Sequence, residues 1–296
     1  MIVVKLQGGL GNQMFQYAAG RGLSQGSPVY IDHRFLEENQ TDSPHFTARK
    51  YELQLFKNIK AVKATSKQLK IFNNNSFYYR LYKRIFKTVI SRQIENEYIN
   101  FKKAYGNPVN IYLDGYFQSE KYFGPLRNQL LKDFEFPALD TENDNLRKKI
   151  EASSNPVSIH IRRGDYLKSP EVYKIHGVLE VQYYQQALNL LNAKQADLTL
   201  FVFSDDIDWA MKNLNLDSNQ TCYVSGNPSE NSWKDMALMR YCKHHIIANS
   251  SFSWWGAWLS TGNGEVFAPA NWFNANNVKF NIHDFIPANW HIISNE

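Results

Sequence analysis

Apolar and polar positions alternate along the second half of the chain in two distinct periods. Short β-branched or aromatic runs predict strands at 157–162, 198–204, 221–225, 244–248 and 265–268. Longer stretches with helical spacing predict helices near 180–194, 206–215, 230–242 and 252–260. Strands of this length interleaved with helices argue for βαβ units and a parallel sheet. The first half is less regular. Strands are predicted at 2–6, 29–32 and 110–116, a helix over 12–23 with Asn12 as its N-cap, and a helix near 120–132. Residues 33–76 carry weak signals. Thr141-Glu142-Asn143-Asp144 resembles a capping box opening a helix to about Ala152. The predicted division is a first domain over 1–150 and a second over 151–296, with the boundary inside 137–155.

Between 78 and 92 the helical period is strong. Tyr78, Leu81, Tyr82, Ile85, Phe86, Val89 and Ile90 recur on one face, and Arg80, Lys83, Arg84, Lys87 and Arg92 fill the other. A basic amphipathic helix of this kind either docks on the domain with a solvated basic face or makes peripheral contact with an anionic membrane.

Composition narrows the picture only slightly. The 296 residues are 43% hydrophobic, as in soluble globular proteins, and the net charge of +5 permits an anionic small ligand without calling for nucleic acid. Cys222 and Cys242 are the only cysteines and have no CxxC spacing, so neither a disulfide framework nor a zinc site is expected. Met1 to Leu6 is too brief for a signal peptide or membrane span, and a cytoplasmic setting is expected. The abundant aromatic residues serve equally as core and as carbohydrate-binding faces.

Candidate chemistry gathers at predicted turns. Val157 to Tyr166 reads VSIHIRRGDY, an apolar strand running into two arginines. Paired guanidiniums at a strand end suit a phosphate or diphosphate. Strand alternation puts His160 and Arg162 on one face and Arg163 on the other, where an ion pair with an acid such as Asp165 is the plain structural reading. Phe201-Val202-Phe203-Ser204-Asp205-Asp206 ends a strand in two carboxylates. One could accept from a guanine base or bridge ribose hydroxyls, and the other could cap the following helix; a Mg²⁺ pair is the rival reading. Asn249-Ser250-Ser251-Phe252-Ser253 opens a helix after the strand Ile246–Ala248, and its hydroxyls and free N–H groups form an anion cradle. The alternative is an N-cap with Trp254, Trp255 and Trp258 as core. These three constellations share one edge of a parallel sheet and together suit a nucleotide diphosphate. Gly8-Gly9-Leu10-Gly11-Asn12 is a fourth glycine turn before a helix, but Met14 breaks the dinucleotide fingerprint and no GK[ST] follows.

Taken in order, GGLGNQMFQYA, LDGYFQSEKYF, HIRRGDY, FSDD and NSSFSWWGAWL resemble the α-1,2-fucosyltransferases of glycosyltransferase family 11 from Gly8 to Trp258. The resemblance implies a GT-B-like α/β fold of two Rossmann-like domains facing a cleft. The first domain would lie on the acceptor side, the second would bind GDP-fucose, and the C-terminal tail is expected to pack back on the first. It implies inverting transfer of L-fucose to the 2-hydroxyl of a terminal galactose, on an oligosaccharide or lipid-linked glycan, with no cofactor and no obligatory metal. By the same resemblance Gly9, Gly11 and Asn12 would approach the donor sugar, His160 the nucleotide and Arg162 the β-phosphate. Asp205 would meet the base, and Ser250, Ser251, Phe252 and Ser253 would surround base, ribose and diphosphate. It implies a bacterial, cytoplasmic enzyme of surface-glycan assembly. No residue stands out as general base; Asp32, Asp114 and His33 are the candidates at strand ends of the first domain. A fucosyltransferase of other linkage, such as α-1,6, and a glycan-binding lectin are the alternatives.

Overall fold

The computed structural model describes residues 1–43, 47–93, 98–217, 220–274 and 276–294. The chain forms two compact units, one comprising residues 1–43 and 47–136 and the other 137–296. The division falls at 136/137, not at 150. The helix Thr141–Ala152 belongs to the second unit because its Ile150 is buried against Phe201, Phe203, Val224 and Leu238.

The first unit is built on a parallel sheet of β1 (Ile2–Lys5), β2 (Val29–Asp32), β3 (Ala61–Lys63), β4 (Thr88–Arg92) and β5 (Asn110–Asp114), in the order β3-β2-β1-β5-β4. Val3, Leu69, Phe72 and Tyr112 pack one face, where the helices Ser66–Asn73 and Phe77–Ile85 cross. The helix Leu10–Leu23 follows β1 closely, and its Gly20 fits against Val4 and Val29. The helical pattern over 78–90 is only half realised. The helix ends at Ile85, Lys87 takes a positive φ, and the β-branched run Thr88-Val89-Ile90 joins the sheet beside Ile111 and Tyr112. Sheet hydrogen bonds to β5 outweigh a helical period that β-branched residues support poorly. Gly124-Pro125 likewise interrupts the helix predicted over 120–132, which forms only over Arg127–Asp133 after two 3₁₀ turns.

The second unit is a parallel sheet of β6 (Asn155–Ile161), β7 (Leu198–Ser204), β8 (Thr221–Val224), β9 (His244–Ile246), β10 (Val266–Pro269) and β11 (His291–Ile293), in the order β11-β10-β9-β6-β7-β8. β6 and β7 are buried almost throughout, as parallel strands covered on both faces must be. Val157, Ile159, Ile161, Leu200 and Val202 meet Tyr183, Ala187 and Leu191 of the helix Val181–Asn192. Phe201 and Phe203 meet Leu238 and Met239 on the opposite face. The C-terminal segment, expected to pack on the first unit, adds a strand to the second sheet. It supplies β11, whose residues 291–293 pair with 267–269 of β10.

Candidate active site

Sheet register explains why residues distant in sequence meet. β6 lies between β7 and β9, with Ile161 opposite Ser204 and Ile159 opposite Ile246. Continuing those registers places Arg162, Asp205 and Asn249 in one row at the carboxyl edge. That edge holds the point where strand order reverses, between β6 and β9, which is where open α/β sheets leave a crevice for ligands.

His160 is the last polar side chain inside β6. It is buried, its ring centre is 5.6 Å from that of Phe252, and its Nδ1 has no hydrogen-bond partner in the structure. Burial, and secondarily the charge of Arg162, push its pKa down to about 3, so it is neutral at physiological pH. Arg162 Nη1 lies 3.1 Å from Asp205 Oδ2. Asp205 Oδ1 accepts the backbone N–H of Arg163 at 2.8 Å. One carboxylate thus holds both the Arg162 fork and the bend that follows β6. A Cβ on Gly164 would come within 3.0 Å of that carboxylate, so the glycine leaves it room. Asp205 is therefore turned toward the arginine turn, with about a quarter of its side chain still exposed.

Arg163 goes to the other face, as alternation requires. Its guanidinium lies 3.9 Å from the Trp209 ring centre and 3.7 Å from Asp206 Oδ2. The partner expected from sequence, Asp165, has its side chain outside the described residues. Asp206 Oδ1 also caps the helix Ile207–Asn213 by accepting from Trp209 N–H at 3.2 Å. Both carboxylates of the pair are thus committed to arginines, backbone N–H groups or both. Among the described residues no group of three or more His, Cys, Asp or Glu is placed to hold a metal ion.

The serine turn divides into two roles. Ser250 is the N-cap of the helix Ser251–Trp258, its Oγ accepting from Phe252 N–H at 3.3 Å. Ser251 and Phe252 are partly exposed at the first turn. Ser253 is buried, and its hydroxyl donates to the carbonyls of Ala248 and Ser250 at 3.4 and 3.3 Å. The expectation that Ser253 faces a ligand is thereby corrected: an i−3 carbonyl captures its hydroxyl, as is common for serine inside a helix. Trp254, Trp255 and Trp258 are core.

Two residues of this edge escaped the sequence reading. Tyr166 donates from its hydroxyl to Asn249 O at 3.0 Å and lies 5.9 Å beneath the Arg162 guanidinium. Asn249 donates to His176 O at 2.9 Å, while its Oδ1 is buried with no partner. Both stand inside the motifs already quoted, but only the tertiary pairing reveals their use.

In the first unit, Gly8 adopts φ +76°, and Gly9, not Asn12, caps the helix Leu10–Leu23. The helix starts early because the chain turns at Gly8. A Cβ there would come within 2.5 Å of Asn12 Nδ2, so only glycine lets Asn12 fold back over the turn. Asn12 Oδ1 accepts from Gln118 Nε2 at 2.7 Å. Gly11 is buried in the helix. Gln13 and Gln16 are buried amides that staple the turn: Gln13 bonds Gly8 O, Lys50 O and Glu52 N, and Gln16 bonds Gln7 N and Gly115 O.

The general-base candidates fare unequally. Asp32 is buried and held by Arg34 through both oxygens and by the Tyr112 hydroxyl at 2.7 Å; despite burial, these bonds keep its pKa below the usual carboxylate value. Asp114 pairs with Lys5 at 2.9 Å and Arg92 at 3.7 Å. Each is thus engaged in ion pairs within the first unit. His33 rests against Tyr51, with ring centres 4.4 Å apart, and burial followed by the charge of Lys63 lowers its pKa. Glu52 was not foreseen. Its Oε1 would lie 3.7 Å from a Cβ on Gly9, and burial raises its pKa despite the nearby Arg49 and a bond from Leu10 N–H.

The family model described as Glycosyl transferase family 11 matches residues 1–294. The O-antigen biosynthesis glycosyltransferase WbnK of Escherichia coli is 37% identical over 293 residues, covering 92% of this chain and 95% of that one. An alpha-1,2-colitosyltransferase of E. coli is 35% identical and covers 98% of each chain. The bovine galactoside 2-alpha-L-fucosyltransferase SEC1 is 30% identical over 157 residues, 51% of this chain and 42% of its own. Among solved structures, NodZ alpha-1,6-fucosyltransferase soaked with GDP-fucose superposes with a TM-score of 0.48 at 11% identity, covering 87% and 91% of the two chains.

Proposed function

The chain belongs to glycosyl transferase family 11, and from that premise we propose that it moves a fucose-like 6-deoxysugar from GDP to the 2-hydroxyl of a galactoside, with inversion, giving an α-1,2 linkage. The observation that carries this reading is the single row of Arg162, Asp205 and Asn249 at the edge where the second sheet reverses its strand order. A diphosphate seated there would exchange the Arg162–Asp205 ion pair for its own bond to the guanidinium. His160, neutral, would offer its unpartnered Nδ1 from one side, and the first turn of Ser251–Trp258 its N–H groups from the other.

Negative charge develops on the β-phosphate as the sugar C1–O bond breaks. Arg162 and the Ser251 N–H and hydroxyl would stabilise it, and we assign the leaving-group role to them without an obligatory metal. Asp205 becomes a positioning residue that holds Arg162 until the donor arrives. The first unit takes the acceptor side. There Asn12, fixed by Gln118, would orient the sugar, and Glu52 is the proposed acceptor of the hydroxyl proton, because its raised pKa suits a base better than the ion-paired Asp32 or Asp114. The proposed setting is the bacterial cytoplasm, and the acceptor a galactose-terminated oligosaccharide or lipid-linked glycan of O-antigen type, which the E. coli relatives support.

A second reading concerns the donor alone. The 35% identical relative is named for colitose, which is fucose without its 3-hydroxyl. Incubation with GDP-fucose or GDP-colitose and a panel of galactosides, followed by linkage analysis, tests both readings. The expected product carries the new sugar on the galactose 2-hydroxyl. GDP release with neither donor, or a product of another linkage, would overturn the assignment.

A further inference from the structure

The helix Phe77–Ile85 shows its apolar side to solvent. No residue in it is buried. Phe77 is 77% exposed, Tyr78 82% and Ile85 62%, and Leu81 is exposed as well. At 100° per residue these four side chains occupy one contiguous arc, with Arg80 and Arg84 along one flank. The opposite side, Tyr79, Tyr82 and Lys83, is turned toward the domain. Lys83 reaches inward to donate to Phe72 O at 2.8 Å, which fixes the rotation of the helix. A surface helix ordinarily does the reverse, burying its apolar stripe and presenting its charges to water. Phe86, whose ring centre lies 4.4 Å from that of Tyr82, and Lys87 follow the helix and are also exposed.

The charge around this arc is one-sided. Residues 61–92 contain eight Lys or Arg and no Asp or Glu, so against the chain's net +5 the remainder carries −3. Of these cations Lys63 pairs with Glu37, Arg92 pairs with Asp114 and Lys83 points inward, while Arg80, Arg84 and Lys87 are exposed on or beside the helix. A second copy of the chain is a poor occupant. A two-fold interface here would bring two faces bordered by Arg80, Arg84 and Lys87 together, with no acid on the helix to offset them. An anionic surface with an apolar interior satisfies both halves of the patch.

We propose that this helix docks the enzyme on an anionic phospholipid bilayer, with Phe77, Tyr78, Leu81 and Ile85 entering the headgroup–acyl boundary and Arg80, Arg84 and Lys87 pairing with lipid phosphates. A two-turn helix offers limited apolar area, so binding needs both contributions, and each basic side chain at such a surface changes affinity about five-fold. Docking is independent of the assigned transfer reaction, because it requires no glycan on the vesicle.

The test is co-sedimentation of the full chain with glycan-free vesicles. One set is phosphatidylcholine mixed with phosphatidylglycerol and the other is phosphatidylcholine alone. The protein should pellet with the first set and not the second, and release as salt is raised. R80Q/R84Q should weaken binding about thirty-fold, and F77S/L81S should abolish it. Both variants should melt like the parent and retain its turnover on a soluble galactoside, because the substituted side chains face solvent. A parent protein that stays in the supernatant with anionic vesicles, or binds both sets equally, overturns the proposal. So does a parent that light scattering shows to be a dimer and F77S/L81S a monomer, since the patch then belongs to a second copy.

Discussion

Replacing Arg162 by lysine separates a charge from a fork, and the structure sets the size of both effects. The Arg162–Asp205 pair is about three-quarters shielded on each side, with Arg162 Nη1 3.1 Å from Asp205 Oδ2. Such a partly exposed pair contributes at most about 1 kcal/mol to folding, and lysine keeps the charge, so the melting temperature should fall by no more than roughly 3 °C. Catalysis should respond far more. Losing one well-placed donor to a developing oxyanion costs about 2.7–4 kcal/mol, a factor of ~10²–10³ in kcat. Lysine is a point charge on a flexible stem and cannot span two phosphate oxygens as the planar guanidinium does. Initial rates of GDP release with saturating donor, measured beside a thermal melt of the same preparation, separate the two effects. The expected pattern is a near-parental melt with kcat reduced at least about 100-fold. The companion variant Asp205→Asn keeps an acceptor for Arg163 N–H but loses the ion pair, so it should raise donor KM more than it lowers kcat. A lysine variant with kcat within about three-fold of the parent would refute the leaving-group role and leave Arg162 a structural residue.

Other perturbations test other links of the argument. Gly8→Ala forces a side chain into φ +76° and against Asn12, which should cost about 1–2 kcal/mol of stability and sharply reduce activity; an unchanged melt and rate would show the turn to be pliable. Ser251→Ala should raise donor KM with no change in melting, whereas Ser253→Ala should lower the melt and leave donor KM alone, and reversed effects would exchange their roles. Glu52→Gln should lower kcat and remove the acid limb of the pH–rate profile, and a parental profile flat through the acid range would eliminate Glu52 as the base. Asp235 is partly buried beside Asn227, and desolvation raises its pKa to about 7, against the Asn227 hydrogen bond that lowers it. Its folded pKa exceeds its unfolded one, so stability declines as pH rises from about 4 to 7 and stays lower above that. Asp235→Asn should therefore raise the melt at pH 8, by a gain on the order of 2 kcal/mol, and leave it unchanged near pH 4; an equal shift at both would contradict the burial argument.

The second unit was more legible than the first, for a physical reason. β6 and β7 are buried on both faces, so their sequences are near-continuous apolar runs with little competing pattern. The first unit places short strands at its edges, and β4 there is hidden inside a helical period. Thr88-Val89-Ile90 fits either reading until β5 is available to pair with it. β11 has only three residues and acquires its identity from β10 in the same way.

The sequence alone determined the alternation of strand and helix, the grouping of arginine, carboxylate and serine motifs at strand ends, and the family they resemble. These are local properties: composition and period within a dozen residues decide them. Tertiary structure decided which way each side chain was spent. Asp205 turned to Arg162 because register put them side by side, Ser253 bonded its own helix, Asp32 and Asp114 were taken up by neighbouring cations, and the apolar arc of Phe77–Ile85 was left outward by a lysine that points in. The Asp205–Arg162 and Asp114–Lys5 pairs join residues far apart in the chain, which no local window contains; the Ser253 and Asp32 bonds are to near neighbours, and the folded backbone selects them from several that the same window offers.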